Sequence, residues 1–187
     1  FRVTKNGETK EFEDPYAFSG QMTEEEEKAF CAGVYYHAYE KMGAHVMTID
    51  GTEGTSFAVW APNAVSVSVV GDFNGWDGRG HLMHRRPMSG IFELFIPGVK
   101  KGDLYKYEIR IRGGQKVLKA DPYGTCTEAF PATASIVDKA AGDITWTDDF
   151  WMAERKKYAD RNQPVSIYET DLTQWKNEEE IVSFAKK

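Results

Sequence analysis

Phe57-Ala58-Val59-Trp60-Ala61-Pro62-Asn63-Ala64-Val65-Ser66-Val67-Ser68-Val69-Val70-Gly71-Asp72-Phe73-Asn74-Gly75-Trp76-Asp77 contains two period-two runs separated by turn chemistry. Phe57 and Val59 alternate with Ser56 and Ala58, and Val65, Val67 and Val69 alternate with Ser66 and Ser68. Successive side chains of a strand point to opposite faces, so each run reads as a strand with one buried side. Ala61-Pro62-Asn63 and Gly71-Asp72-Phe73-Asn74-Gly75 are breakers, because Pro presets one turn dihedral and Gly and Asn accept left-handed ones. Working outward, the same period returns. Phe92, Leu94 and Ile96 alternate with Glu93 and Phe95, and Tyr105, Tyr107, Ile109 and Ile111 alternate with Lys106, Glu108, Arg110 and Arg112. Pro97-Gly98 and Gly113-Gly114 close these two runs. Several short strands at this spacing predict a mainly β chain whose centre is an antiparallel, immunoglobulin-like β-sandwich over residues 51–143. Trp60, inside an alternating run, is expected in its core.

The flanks read differently. Residues 1–50 predict a helical or irregular lead-in, of which Phe1 to Gly20 is polar and shows no period. Thr23-Glu24-Glu25-Glu26 is a capping box, in which the Thr23 hydroxyl accepts from the Glu26 amide and Glu26 reaches back. The acidic run Glu24 to Glu27 suits the positive end of a helix and is expected as a solvated first turn. Phe30, Val34, Tyr35 and Ala38, interrupted by Gly33, predict helical or turn-rich structure to Met42, closed by Gly43. Residues 144–164 predict a linker with a short charged helix near 148–160, with Trp151 as its docking residue. Residues 165–187 predict a strand from Val165 to Leu172 after Pro164, then a helix from Asn177 to Lys187 with Ile181, Phe184 and Ala185 on one stripe. A strand followed by a helix is half of a βα unit.

Composition excludes several classes of function. With 187 residues, 41% hydrophobic and 28% charged, the chain has enough apolar material for a packed core. Lys plus Arg is 23 against 29 for Asp plus Glu, a formal net charge of -6 that lacks the basic footprint of a general nucleic-acid binder. No apolar run approaches the roughly 18 residues of a membrane helix, so no membrane partner is expected. The opening Phe1-Arg2-Val3-Thr4-Lys5 has neither an initiator Met nor an apolar signal region, and reads as the start of a piece of something longer. Two distant cysteines, Cys31 and Cys126, suit a reduced cytoplasmic protein. His37, His45, His81 and His84 show no metal-ligand spacing, and no metal or cofactor is expected. Asp72 and Asp77 flank the Phe73-Asn74-Gly75-Trp76 loop and read as turn caps rather than a catalytic pair.

The ordered set Phe57–Ala64, Val69–Asp77, Tyr39–His45, Gly102–Ile109, Lys119–Gly124, Pro131–Ser135 and Ser166–Glu169 resembles 1,4-α-glucan (glycogen) branching enzymes over roughly residues 30 to 187. In that resemblance the sandwich is their carbohydrate-binding module of family 48, and residues 165–187 are the first strand and helix of a truncated TIM barrel. The resemblance implies a cytoplasmic transferase of the α-amylase superfamily that cleaves an α-1,4-glucan and rejoins the fragment through an α-1,6 bond with retention. Retention uses two carboxyl groups about 5 Å apart, placed by this family at the strand ends of the barrel. Those motifs lie downstream, so the chain alone is expected to be inactive.

Trp76 and Lys106 match sugar contacts of starch-binding members of the module family, which implies glycogen or maltooligosaccharides as partners. Two departures accompany the match. Sugar-binding members carry a second Trp after a Gly-Gln pair, whereas Gly114-Gln115 is followed here by Lys116. The late segment Asp171-Leu172-Thr173-Gln174-Trp175 replaces the family's His and Gly before the Trp. Other readings stay open: a spacer on the barrel without sugar affinity, a module of a related debranching enzyme, or a sensing subunit without a catalytic domain. With bare strand edges in the stub, residues 165–187 are expected to be disordered, to fold back on the sandwich, or to pair with a second copy.

Overall fold

The computed structural model describes residues 2–5, 8–11, 13–137 and 146–158, together with 162, 164, 166, 167 and 169. The chain divides into two units, Phe1–Asp143 and Ile144–Lys187. In the first, strands β1 (Arg2–Lys5) and β2 (Glu8–Glu11) form an antiparallel hairpin. A 3-10 turn at Pro15–Ala17, helix α1 (Glu24–Cys31) and a second 3-10 turn at Ala38–Glu40 follow. The predicted capping box starts α1: Thr23 Oγ1 accepts from Glu26 N at 3.2 Å and Glu26 Oε2 accepts from Thr23 N at 2.7 Å.

The sandwich then begins earlier than the expected boundary at residue 51. Strand β3 (Gly43–Ile49) pairs antiparallel with β4 (Thr52–Trp60), and Asp50-Gly51 joins them as a two-residue turn with φ of 49° and 82°. Two successive left-handed residues match the twist of a hairpin, which is why Asp-Gly marks one. As a sheet edge, β3 buries little of its length and so shows no clean alternation in sequence.

Strands β5 (Ser66–Gly71), β6 (His84–Arg85), β7 (Ile91–Pro97), β8 (Leu104–Arg110), β9 (Lys116–Lys119) and β10 (Ser135–Ile136) complete two antiparallel sheets. One runs in the order β3-β4-β7-β6; in the other, β5 lies on one edge of β8 while β9 and β10 share the opposite edge. Phe57 and Val59 of β4 and Phe92, Leu94 and Ile96 of β7 face Val67 and Val69 of β5 and Tyr105 and Tyr107 of β8 across one core. The alternating residues are therefore the ones that make the sandwich, as the period-two reading required.

The two core tyrosines end on one buried carboxylate. Tyr105 Oη and Tyr107 Oη donate to Asp121 Oδ2 at 2.6 and 3.0 Å, and the Tyr123 amide donates to Asp121 Oδ1 at 2.8 Å. Burial holds the Asp121 carboxyl above its ordinary pKa, against the pull of these hydrogen bonds.

A second, smaller cluster lies on the outer side of the β4–β7 sheet, where Met22, Met42, Phe30, Tyr35 and Ala38 of the lead-in pack on Ala58 and Ile91. Phe18 adds an edge-to-face contact with Phe95 at 4.8 Å. This cover corrects two expectations. Trp60 is not in the core: Phe57 and Val59 point inward, so Ala58 and Trp60 point outward, and Trp60 stays 54% exposed. Its indole donates to Ser89 O at 2.9 Å and its ring meets Phe30 at 6.0 Å. Nor is the whole acidic run solvated, because Glu27 is turned into the sheet and buried.

In the second unit, helix α2 (Asp149–Tyr158) occupies the predicted charged segment, and Trp151 stacks on Tyr158 with ring centroids 5.5 Å apart. The expected strand and helix of residues 165–187 lie outside the described residues. Among the described residues, no helix is long and apolar enough to cross a membrane.

Candidate functional site

Trp76 is positioned by the loop that leaves β5. After a 3-10 turn at Asp72–Asn74, both Gly75 and Trp76 take left-handed backbone, with φ of 61° and 62°. For a bulky residue this conformation is an outlier costing about 1–3 kcal/mol, and it persists where the surroundings over-determine it. The restraints are visible. The Trp76 amide donates to Gly71 O at 2.9 Å, and its indole Nε1 donates to Asp72 Oδ1 at 2.8 Å. Asn74 pins the turn from inside, accepting from the Gly71 amide and donating to Val69 O, each at 2.9 Å. The ring is left 39% exposed.

The loop then folds over the outer face of β5. Val67 and Val69 point into the core, so Ser68 and Val70 point outward, and Gly78 lies so close to both that a side chain there would overlap Ser68. Asp77 caps the 3-10 turn Gly78–Gly80, as expected, accepting from the Arg79 amide at 3.1 Å. It also pairs with the Arg79 guanidinium at 2.6 Å, and those hydrogen bonds hold its carboxyl down at about 2. Asp72 does not act as a plain cap. Its carboxylate is the acceptor that orients the indole.

Lys106 reaches the same end of the sheet from β8. The register pairs it with Val70, one residue before the Gly71 that holds Trp76. Its neighbours Tyr105 and Tyr107 are buried, so Lys106 points outward, where Nζ donates to Thr133 Oγ1 at 2.7 Å. Further along this face Lys116 pairs with Glu108 at 2.7 Å, and the exposed Leu118 stands opposite Glu108. Trp76 and Lys106 are thus brought to one end of one outward face. Thr133 was not singled out from the sequence, because it lies far along the chain in a loop without periodicity. The signal for Glu108 was present in the Lys106, Glu108, Arg110 alternation.

This end of the sandwich carries a partly exposed indole on the loop after β5 and, opposite Val70 on β8, an ammonium bonded to the Thr133 hydroxyl. An apolar platform with a few placed polar groups suits a ligand that has both C–H faces and hydroxyl rims. Among the described residues, no group of three His, Cys, Asp or Glu side chains is placed to hold a metal ion.

Comparison with known proteins gives the family of the sandwich. Residues 41–124 match the family "Carbohydrate-binding module 48 (Isoamylase N-terminal domain)". The chain is 48% identical over 175 residues to 1,4-alpha-glucan branching enzyme GlgB of Thermosynechococcus vestitus, covering 93% of this chain and 23% of that protein. It is 47% identical over 177 residues to the enzyme of the same name from Rhodospirillum rubrum, covering 94% and 24%. The chain therefore spans about a quarter of the length of the curated relatives it matches. Among solved structures, a Klebsiella pneumoniae pullulanase is 25% identical with a TM-score of 0.41, over 57% of this chain and 10% of that one.

Proposed function

We propose that this chain, whose residues 41–124 belong to the carbohydrate-binding module 48 family, is the N-terminal glucan-binding and positioning part of a 1,4-α-glucan branching enzyme. The observation that carries the proposal is Trp76. A tryptophan held in left-handed backbone, with its amide on Gly71 O and its indole on Asp72 and still 39% exposed, is a ligand platform whose orientation costs stability. In this reading the indole stacks on a glucosyl C–H face, and Lys106 and Thr133 meet its hydroxyls. Glycogen and maltooligosaccharides are the partners, in the cytoplasm. The branching chemistry belongs to the relatives' length outside the match, in a barrel whose first strand and helix are residues 165–187. The sandwich is then residues 51–143 with β3 added before it, and residues 144–164 link it to the barrel. If residues 165–187 pair between copies, light scattering shows a dimer that a chain ending at residue 164 does not form.

The test is native affinity electrophoresis in gels with and without glycogen. The chain is expected to be retarded by glycogen, and Trp76→Ala to lose most of that retardation. A second reading, a spacer without sugar affinity, is favoured by the internal pairing of Lys106 with Thr133 and of Lys116 with Glu108. Mobility unchanged at saturating glycogen would select it.

A further inference from the structure

The loop that carries Trp76 has a second side. There Phe73, Gly80 and His81 line a cleft of about 670 Å³, closed by Glu13 of the lead-in, Thr52 at the start of β4 and the Ile96–Val99 turn after β7. That volume lies within the roughly 300–1,000 Å³ usual for small-ligand clefts. The lining is divided by chemistry: Phe73, Ile96 and Val99 are apolar, while the Glu13 carboxylate, the Thr52 hydroxyl and the His81 ring are polar.

His81 is held in one protonation state by its neighbours. Its Nδ1 lies 2.8 Å from Asn74 Nδ2, which also donates to Val69 O and so acts as a donor. Nδ1 must therefore accept, leaving Nε2–H as the ring's donor in a neutral imidazole. The ring is braced edge-on by Phe73 at 5.8 Å. Among the described lining residues, Glu13 carries the charge, which disfavours an anionic ligand such as a phosphate. What fits is a neutral polyhydroxyl ring with an apolar face.

We propose that this cleft is a second saccharide subsite, taking glucosyl units of an α-glucan independently of the Trp76 face. The inference rests on the reading that the chain binds α-glucan. Its two sites are walled by one loop, with Asn74 tied to both: to Gly71, which holds the Trp76 amide, and to His81 in the cleft. A branched polymer with many ends engages both at once and gains avidity that a short oligosaccharide cannot.

The test follows amide and indole N–H signals of the 187-residue chain by NMR during titration with maltoheptaose. The Gly80, His81 and Gly98 amides are expected to shift both in the native chain and in Trp76→Ala. Gly80→Trp introduces a bulky ring at a residue that lines the cleft, where a Cβ meets no other atom within 4 Å. It is expected to weaken the response of the His81 and Gly98 amides by about tenfold or more, while the midpoint of the Trp76 indole shift changes by less than about twofold. Glu13→Ala, which leaves the loop untouched, is expected to weaken the cleft signals alone by about fivefold. Cleft signals that stay still while the Trp76 indole saturates overturn the inference, as do cleft shifts that vanish in Trp76→Ala. Cleft shifts without any movement of the Trp76 indole uphold the second site and refute the first. No movement at either position refutes both.

Discussion

On the outer side of β4 and β7 the sandwich is covered by the lead-in, whereas beyond the loop that crosses β5 the outer side of β8 and β9 is open. Both faces carry ion pairs of similar length, in very different settings. On the covered side Arg86 Nε donates to Glu27 Oε2 at 3.0 Å and Arg86 Nη1 to Glu93 Oε1 at 2.7 Å, with both carboxylates buried. Glu27 Oε1 also accepts from the Ser89 amide and hydroxyl, and Glu93 Oε2 accepts from the amides of Gln21 and Met22. Among the described residues, every buried side-chain N or O atom has a partner. On the opposite side Asp77–Arg79 is exposed to water and Glu108–Lys116 partly so. Exposed pairs contribute little because water and salt screen them, while a buried network is costly to break because it leaves a desolvated charge. The covered face uses charge to hold the lead-in in one place. The open face holds its pairs at the water boundary, where they stabilise little.

This contrast can be broken most directly at Arg86. Arg86→Ala is expected to lower stability by about 3–5 kcal/mol in urea unfolding, because Glu27 and Glu93 are left facing each other without the cation. A loss under about 1 kcal/mol would mean the two faces do not differ as argued.

Acid titration sharpens the comparison. Burial alone would raise the Glu27 carboxyl, but hydrogen bonds from Ser89 and Arg86 outweigh it and leave the group below its ordinary 4.5. Its contribution is therefore complete above about pH 4.5 and is lost as the pH falls through its lowered value. Asp121 has the opposite sign. Its folded-state value is raised, so its contribution is complete below its ordinary 3.8 and is lost as the pH rises through the raised value. Measured by urea unfolding across the acid range, Glu27→Gln should flatten the loss of stability on acidification, and Asp121→Asn should steepen it. Parallel profiles for native chain and variants would contradict both signs.

On the open face the expected effects are smaller in stability and larger in binding. Trp76→Gly removes the platform and relieves the left-handed strain, so most of the glycogen retardation is lost while the unfolding free energy is unchanged or rises by up to about 1 kcal/mol. A clear loss of stability would instead make the indole a packing residue. The smallest effect is expected at Arg79, where Arg79→Ala should leave the melting temperature unchanged, because the ion pair with Asp77 is fully exposed.

Much of this was legible in the amino-acid order. Strands β4, β5, β7 and β8 follow from their apolar alternation, and α1 begins at its capping box. Trp76 and Lys106 were marked by the resemblance to starch-binding members of the module family, one on a turn and the other on a strand. Strand β3 was hidden because an edge strand has little buried surface to impose a period, and its Asp50-Gly51 turn read as a boundary rather than a hairpin. The cleft between the lead-in and the strand ends left no local signature, since Glu13, Thr52, His81 and Gly98 come from four separate segments.

The sequence by itself determined where strands, turns and the helix cap form, because those depend on dihedral preferences and hydrogen bonds within a few residues. Only the tertiary structure decided which outer face is covered and which is open. Glu27 and Arg86 are 59 positions apart, and nothing in the Glu24–Glu27 run distinguishes the one carboxylate that is buried from the three that are not. Trp60 is exposed for the same physical reason: strand alternation tells which side a residue faces, but burial depends on what another part of the chain lays against that side.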